Sequence, residues 1–457
     1  MTQPPYDQMA AIRLGYGLSP RMTLPADPQA VAASVVGATR IGPRSITLER
    51  MRAWQLEGRD ISMAAKAGDP GAQEAGKAQR KVKSQAYDQS IRARFARAVD
   101  DVAGFGERLV WFWADHFTVA GGSLRQSLMA AAFIEDAIRP HLSGRFGEMM
   151  LAAETHPGML AYLDQINSVG PNSISARRNP RKPAGLNENL AREMIELHSL
   201  GVGAEYTQAD IEQLAELLTG LTYNPRRTAI FRRENAEPGA ETVLGETYGG
   251  RKGSLDDIRA VIADLAVHPA TAAHIARKMA VHFVADDPPQ ALVDRLTGVF
   301  MDTGGDLGAM NLALAEAPEL ATHFRGKMRQ PFEFLVAGMR SLGLTGPEVL
   351  ALRSSIINGH LRQPLAVMGQ PWAAPSGPDG WPEPSENWAS PQGLAMRINW
   401  AMAVPSRLVK PLPDARGLLE ACLGDTASEA LVWAVPRAES QAEGVALVLA
   451  SVDFNRR

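Results

Sequence analysis

The chain has 457 residues, of which 45% are hydrophobic and 21% charged, so it has the composition of a globular protein with enough apolar residues for a large core. Its formal net charge of -3 gives no general attraction to nucleic acid, and its single cysteine, Cys422, excludes an intramolecular disulfide and cysteine-rich metal centres. No apolar stretch reaches the roughly 18 residues that a membrane span needs, so membrane insertion is not expected.

The N-terminal stretch is where a targeting signal would lie. It reads MTQPPYDQMAAIRLGYGLSP and lacks the basic start and apolar core of a signal peptide. From the residues alone, a cytoplasmic location is expected.

Helical residue patterns dominate the rest of the chain. Ala, Leu, Met, Glu and Arg recur in long segments whose apolar positions are three and four residues apart, as on one face of an α-helix. We therefore predict an all-α fold, a layered multi-helix body with long loops rich in Pro and Gly. Short apolar runs around Glu237-Pro238-Gly239 indicate one small β-hairpin at most.

The helices are expected to pack as one extended domain over residues 1–457. Its sub-regions are the N-terminal helices in 1–165, the central helices in 186–345, and a loop with helices in 346–457. The basic segment KAQRKVK is interpreted as a solvated helix face because no aromatic residues are interleaved with it. No nucleic-acid partner is therefore expected.

The segment RLVWFWADHFTVAGG, residues 108–122, places an acid beside a histidine in aromatic surroundings. Asp115 and His116 could have shifted pKa values there and take part in acid–base chemistry. The alternative is structural, with His116 as a polar tie between helices. We predict that His116 is buried against the helix of residues 187–201 and hydrogen-bonds one of its polar residues, with Trp111 and Trp113 nearby.

The segment NENLAREMIELHSLG, residues 187–201, concentrates polar residues on one predicted helix, with Asn187 as its N-cap and Gly201 as its C-terminal stop. It could be a solvated face, a buried polar network or the wall of an active site. The candidate site residues on this helix are Asn187, Glu188, Arg192, Glu193, Glu196 and His198.

The spacing of these residues gives more specific expectations. Glu188, Arg192 and Glu196 are four residues apart and can form ion pairs. We predict that these three are partly buried and paired with other segments, because the three acids of this helix outnumber its one arginine. The candidate partners are Arg125, Arg177 and Arg178. His198 lies near the apolar face, which favours a buried histidine bonded to a carbonyl or carboxylate.

A second row of ionisable residues lies in ATAAHIARKMAVHFV. His274, Lys278 and His282 are four residues apart and are expected on a solvated or lightly buried face. Along a helix the two histidines would be about 12 Å apart, too far to share a metal ion. No metal site and no cofactor are predicted.

Two long segments are rich in Gly and Pro and are predicted to be loops, at 166–185 and 369–393. The second contains Trp372, Trp381 and Trp388, which are weak candidates for ligand binding. We expect Trp381 and Trp388 to be buried against the helical body and Trp372 to be the exposed one.

Taken in order, these segments resemble a bacterial family known as the domain of unknown function numbered 1800. The matching stretches are AAIRLGYGLSP, ERLVWFWADHFTV, HPGMLAYLD, NENLAREMIELHSLGV, YTQADIEQLAELLTG, TVLG, RKMAVHFV, MGQPWAAPSGPDGWP and LVLASVDFNRR. The resemblance spans nearly the whole chain and implies a largely helical protein. It implies no particular reaction.

The resemblance also implies a partner and a location. Members are commonly encoded beside a second family, numbered 1501, which looks like the alkaline phosphatase and sulfatase superfamily. Many members of both families look exported, so a periplasmic location is implied beside the cytoplasmic one.

This sequence departs from the family pattern at two places. Typical members read close to FWHNHF, and the first histidine position is Ala114 here. Typical members also have a His-Asp pair before VLG, where this chain has Ala236-Glu237-Pro238-Gly239. Both departures remove possible metal ligands and weaken the case for a histidine-rich metal site.

Three functions stay open at this point. The favoured one is an accessory or scaffolding protein that acts with a phosphatase-like or sulfatase-like neighbour. The alternative is an enzyme, for example a hydrolase, with a pocket around the 187–201 helix and Asp115-His116. A weaker alternative is carbohydrate binding by the tryptophan-rich loop, since indole faces stack on sugars.

Overall fold

The computed structural model describes residues 4–178, 185–226 and 230–457. In these ranges the secondary structure is helical except for one two-stranded antiparallel sheet, so the all-α prediction is confirmed. Part of the predicted 166–185 loop, residues 179–184, lies outside the described residues. No described helix is both long and apolar enough to cross a membrane.

The helices fall into three consecutive groups along the chain. The N-terminal helices are α1 (Tyr6–Arg13), α2 (Pro28–Ala38), α3 (Leu48–Lys66), α4 (Ala72–Asp100), α5 (Phe105–His116), α6 (Leu124–Phe133), α7 (Phe146–Glu154), α8 (Pro157–Tyr162) and α9 (Ile174–Arg178). The central helices are α10 (Asn189–Glu196), α11 (Gln208–Leu218), α12 (Leu255–Val267), α13 (Pro269–Phe283), α14 (Gln290–Thr303), α15 (Leu307–Ala315), α16 (Glu319–Thr322) and α17 (Pro331–Ser341). The C-terminal helices are α18 (Gly346–Ala351), α19 (Ser354–Ile356), α20 (Gln363–Val367), α21 (Pro391–Ala403), α22 (Pro405–Leu408), α23 (Ala415–Leu423), α24 (Glu429–Ala434), α25 (Gln441–Ala450) and α26 (Val452–Asn455).

The hairpin lies later in the chain than predicted. Strands β1 (Gly239–Val243) and β2 (Glu246–Gly250) pair antiparallel, with Val243 opposite Glu246. The turn is therefore Leu244-Gly245, and both residues have positive φ, 52° and 84°, as tight hairpin turns require. Glu237, which the prediction placed in the hairpin, is instead buried and accepts hydrogen bonds from Asn172.

Two hydrophobic cores meet at α5. The larger core contains Phe112 and Trp113 of α5 and packs against α2, α7, α10 and α13. The second core lies between α4, α17 and the C-terminal helices, and Trp111 of α5 packs against it. Trp111 stacks on Phe332 of α17 with a centroid distance of 4.2 Å and an interplanar angle of 4°. The C-terminal end of α5, with Asp115 and His116, is thereby fixed between both cores.

Helix α11 begins with a capping motif that its sequence encodes locally. Thr207 and Asp210 form a reciprocal capping box, in which Asp210 N donates to Thr207 Oγ1 and Thr207 N donates to Asp210 Oδ2. Helix α10 is shorter than predicted, since it begins at Asn189 and ends at Glu196, so its N-cap is Glu188 and not Asn187 as predicted. Asn187 accepts a hydrogen bond from the backbone N–H of Asn189. Gly201 follows five residues later with φ of 93°.

Candidate functional site

The tryptophan-rich loop 369–393 closes over the C-terminal end of α5. The backbone N–H of Trp381 donates to both carboxylate oxygens of Asp115, at 2.9 and 3.2 Å. Gly380 has φ of 82°, and a Cβ at that position would lie 2.7 Å from Cγ of Asp115. The Gly380-Trp381 turn can approach the carboxylate this closely only because residue 380 is glycine.

Glu383 and Lys327 anchor the same loop from the other side. Glu383 accepts a hydrogen bond from His282 Nδ1 at 2.6 Å and pairs with Lys327 Nζ at 3.2 Å. Lys327, which is 1% exposed, also pairs with Asp286 at 2.7 Å. Burial opposes ionisation of Glu383, but His282 and Lys327 outweigh it and lower its pKa. The loop is therefore held by charged groups of several distant segments.

The three tryptophans of the loop differ from the expected order of exposure. Trp388 is 2% exposed, as predicted, and its Nε1 donates to the carbonyl of Pro382. Trp381 is only partly buried, so the prediction of full burial is wrong. Trp372 was expected to be exposed, but it is partly buried because its ring stacks on Phe95 at 5.5 Å.

A partly open space of about 90 Å³ lies beneath this loop, between α4, α5, α6 and the helical turn that follows α6. We call it the indole cavity, because Trp111, Trp372 and Trp381 line it. The other lining side chains are mostly small or apolar, and include Ile46, Ala93, Ala114, Val119, Ala130, Ala131, Ile134 and Pro375. A space of this size can hold several water molecules or a small organic group.

Asp115 is the carboxyl group of the cavity that has an altered pKa. Burial raises its pKa to about 8, against the hydrogen bond from Trp381 and the positive charge of Lys278, which lower it. Two further acids, Glu383 and Asp379, add to the rise. Burial therefore favours the protonated form of Asp115.

Arg94 also lines the cavity, and no acid in the described part of the chain forms a salt bridge with it. Its guanidinium lies over the ring of Trp111, 5.5 Å from the centroid. Among the described residues, Nη1 of Arg94 and Nε1 of Trp111 have no hydrogen-bond partner. Burial and the nearby charge of Arg139 lower the pKa of Arg94. The helical pattern of α4 gives no sign of this role, and the solvated face predicted on this helix concerns only KAQRKVK at residues 77–83.

His116 points away from the indole cavity although it follows Asp115 directly. It is 2% exposed, and its Nε2 lies 3.3 Å from the backbone carbonyl of His198, so it contacts the 187–201 segment as predicted. Trp113 packs edge-on against its ring at 5.4 Å. His198 is 1% exposed and hydrogen-bonds Glu154 at 2.7 Å. Through these hydrogen bonds the two histidines connect neighbouring helices inside the core.

Glu188 and Glu196, at the two ends of α10, are partly buried as predicted, and they pair mainly with Arg192 of the same helix. Arg192 lies 3.1 Å from Glu188 and 3.3 Å from Glu196, and all three side chains are between 24% and 38% exposed. Gln208 supplies the contact from another segment. The predicted partners are wrong, since Arg177 donates to the carbonyl of Asn172 instead. Burial raises the pKa of Glu193, and none of these acids lines the indole cavity.

The row His274, Lys278 and His282 on α13 faces inward, so its interpretation as a lightly buried face is wrong for His282, which is 2% exposed. Burial lowers the pKa of His274 and His282 to about 4, so both are neutral at neutral pH. Burial also lowers the pKa of Lys278, which lies near Asp115. His282 is buried because the tryptophan-rich loop packs on α13 through Glu383. The spacing of residues along the helix does not reveal this contact.

The described residues hold no group of three or more His, Cys, Asp or Glu side chains arranged to hold a metal ion. Asp115, Trp372 and Trp381 meet at one cavity, whereas His116 and the α10 acids belong to other parts of the fold.

Comparison with known proteins identifies a family but no characterised relative. Neither the curated proteins nor the solved structures gave a match. The sequence model of one family, described as "Protein of unknown function (DUF1800)", matches residues 9–456. Because the match covers nearly the whole chain, the protein belongs to the DUF1800 family.

Proposed function

We propose that this protein binds a small organic ligand in the indole cavity and acts as an accessory protein rather than as a catalyst. The observation that carries the proposal is the cavity itself, which is lined by three indoles with Asp115 and Arg94 at its walls. Concave sites with mostly apolar walls and a few polar groups are the usual form of small-molecule sites. The anchoring of the loop by Asp115 and Glu383 keeps such a site formed without ligand.

The lining favours a ligand with an apolar or aromatic body over a sugar. Sugar hydroxyls need several hydrogen-bond partners, and twelve of the 21 lining residues are Ala, Ile, Val, Pro or Trp. Trp388 is buried and Trp372 has one face against Phe95, so neither presents a free indole surface outside the cavity. Carbohydrate binding by the loop is the less favoured ligand class for these reasons.

Binding is favoured over catalysis because the chemically active candidates are separated. Of the residues proposed from the sequence as catalytic, only Asp115 lines the indole cavity. His116 and His198 are tied into the core, and the α10 acids form surface ion pairs. General acid catalysis by Asp115 would need a second reacting group within hydrogen-bond reach of the same ligand.

A fragment screen with a filled cavity tests this proposal. Ala114 lines the cavity, so Ala114→Phe should occupy it, whereas Ala75→Phe places the same ring at an exposed position of α4. Single-ring aromatic fragments are expected to bind the wild type and Ala75→Phe in ligand-observed NMR, and to lose binding to Ala114→Phe. Fragments that bind all three proteins equally, or none at all, contradict the proposal.

A second candidate, compatible with the first, is docking to a phosphatase-like or sulfatase-like protein of the family numbered 1501. The supporting observation is apolar exposure on the C-terminal helices α24 and α26. Trp433 is 62% exposed, beside Val432 at 51%, and Val452 is 70% exposed. Tryptophan is enriched among residues that dominate binding energy at protein interfaces.

Size-exclusion chromatography of the two purified proteins tests the docking candidate. We expect a complex with the wild type and with Met63→Ala, which removes another exposed apolar side chain far along the chain. Trp433→Ala is expected to weaken the complex at least tenfold. Equal binding by all three, or no complex, counts against this partner.

A further inference from the structure

The polar side of the indole cavity contains hydrogen-bond donors that the protein itself does not use. Nη1 of Arg94 and Nε1 of Trp111 are buried without a partner among the described residues, and both side chains line the cavity. Leaving buried donors unpaired costs free energy. A ligand that supplies acceptor oxygens between these two groups would recover that cost.

The carboxylates nearest to Arg94 are already engaged by other arginines. Glu107 pairs with Arg97 at 2.9 Å and with Arg139 at 2.6 Å. Glu135 lies 3.3 Å from Arg139 and 3.7 Å from Arg97, and it also accepts a hydrogen bond from Ser45. These two acids therefore carry compensated charges, and the guanidinium of Arg94 is left facing the cavity.

The opposite wall does not cancel this positive charge at neutral pH. Asp115 is the acid on the loop side, and burial raises its pKa to about 8. Its carboxyl group is mostly uncharged under those conditions and is hydrogen-bonded to Trp381. The cavity wall therefore holds the guanidinium of Arg94 and the carboxyl group of Asp115 among mostly small or apolar side chains, and the charges of Glu135 and Arg97, which also line it, compensate each other.

We propose that the ligand of the indole cavity is a small carboxylate with a flat apolar body. Arg94 binds the carboxylate oxygens, the Nε1–H of Trp111 donates to one of them, and the body lies between Trp381 and the apolar wall that includes Ile134. Arginine suits this role because its planar guanidinium matches carboxylate geometry. This inference rests on the proposed function and adds the chemical class of the ligand.

Two ligands of similar shape but different charge test whether the cavity prefers a carboxylate. Phenylacetate and its uncharged amide, phenylacetamide, differ little in size, and calorimetric titration at pH 7 gives the affinity of each. The variant Arg94→Gln removes the charge, and Arg94→Lys keeps it. Arg92→Gln is the control, because Arg92 is on the same helix but pairs with Asp88 and does not line the cavity.

In the wild type and Arg92→Gln, phenylacetate is expected to bind about tenfold or more tightly than phenylacetamide. Arg94→Gln should abolish this preference and leave phenylacetamide binding unchanged, while Arg94→Lys should keep part of it. Circular dichroism melting of each variant shows whether it is folded.

Two outcomes overturn the inference, and they are distinguishable. If phenylacetamide binds as tightly as phenylacetate, the cavity takes apolar ligands, and the carboxylate class is wrong while the proposed function stands. If neither probe binds the folded wild type, both the inference and the proposed function fail. Preference for phenylacetate that survives in folded Arg94→Gln also overturns the role of Arg94.

Discussion

The backbone N–H of Trp381 lies 2.9 Å from Oδ1 of Asp115, although the two residues are 266 positions apart in the sequence. This contact joins the end of α5 to the tryptophan-rich loop and closes the indole cavity. Asp115 therefore has two roles. Its carboxyl group fixes the loop, and it forms part of the wall of the indole cavity.

The glycine beside this contact gives the first prediction. Gly380→Ala should destabilise the protein by at least about 1 kcal/mol, because its φ of 82° disfavours alanine and the new Cβ would clash with Asp115. It should also weaken ligand binding, since the loop must move away. Gly37→Ala is the control, because on α2 a Cβ at residue 37 meets nothing within 4 Å, and the substitution should be neutral or slightly stabilising. Equal urea midpoints for both variants would argue against the close docking of the loop.

The anchor at Glu383 gives the second prediction. Glu383→Ala should lower the free energy of unfolding by about 3 kcal/mol, because it removes an acceptor from His282 and a counter-charge from the buried Lys327. Glu386→Ala, at an exposed position of the same loop, should change it by less than about 0.5 kcal/mol. Urea denaturation followed by tryptophan fluorescence measures both. A loss below about 1 kcal/mol in Glu383→Ala would mean that the loop does not depend on this anchor.

The raised pKa of Asp115 gives a pH-dependent prediction. The unfolded chain ionises this group near its ordinary pKa of 3.8, whereas the folded protein does so near 8. The unfolded state therefore binds fewer protons between these values, and the contribution of Asp115 to stability falls as pH rises through that window. Asp115→Asn has no such charge, so its stability relative to the wild type should increase from pH 5 to pH 9.

Urea titrations at the two pH values test this, with Asp287→Asn as the control at a side chain that is 98% exposed. If the free energies of unfolding of the wild type and Asp115→Asn differ by the same amount at pH 5 and pH 9, Asp115 is not buried as a neutral acid. The same ionisation should weaken phenylacetate binding above about pH 8 in the wild type and not in Asp115→Asn, because a second negative charge then faces the ligand.

The histidine that follows Asp115 gives the fourth prediction. His116→Ala should destabilise the protein by about 1–3 kcal/mol, because it removes the partner of the His198 carbonyl and leaves space in the core. Ligand binding to the folded variant should be unchanged, since His116 does not line the indole cavity. Thermal unfolding and calorimetry measure the two effects separately. Wild-type stability combined with lost function would make a structural role untenable and favour a catalytic one.

Features that depend on local sequence could be predicted, whereas the site could not be assembled from sequence alone. The capping box of Thr207 and Asp210 and the burial of His116 follow from short-range spacing and aromatic surroundings. The hairpin was displaced because its turn uses Leu244-Gly245, and positive φ at a leucine leaves no clear sequence signal.

The missed elements of the site all depend on contacts between distant segments. Glu383 meets His282 across 101 residues and Lys327 across 56, so neither pairing leaves a motif. Arg94 belongs to a helix whose exposed face is solvated, and only packing against Trp111 and the loop turns this one arginine toward a cavity. The arginines predicted to neutralise the α10 acids were not needed, because Arg192 and Gln208 already pair with them at the surface.

The central claim is that a small carboxylate occupies the indole cavity with its charged end at Arg94. The most direct test is the crystal structure of the protein with 4-bromophenylacetate, in which anomalous scattering locates the bromine. We expect a bromine peak inside the cavity and carboxylate oxygens within hydrogen-bond distance of the Arg94 guanidinium, with both absent in Ala114→Phe. A bromine peak elsewhere on the protein, or an empty cavity at saturating ligand, would contradict the account.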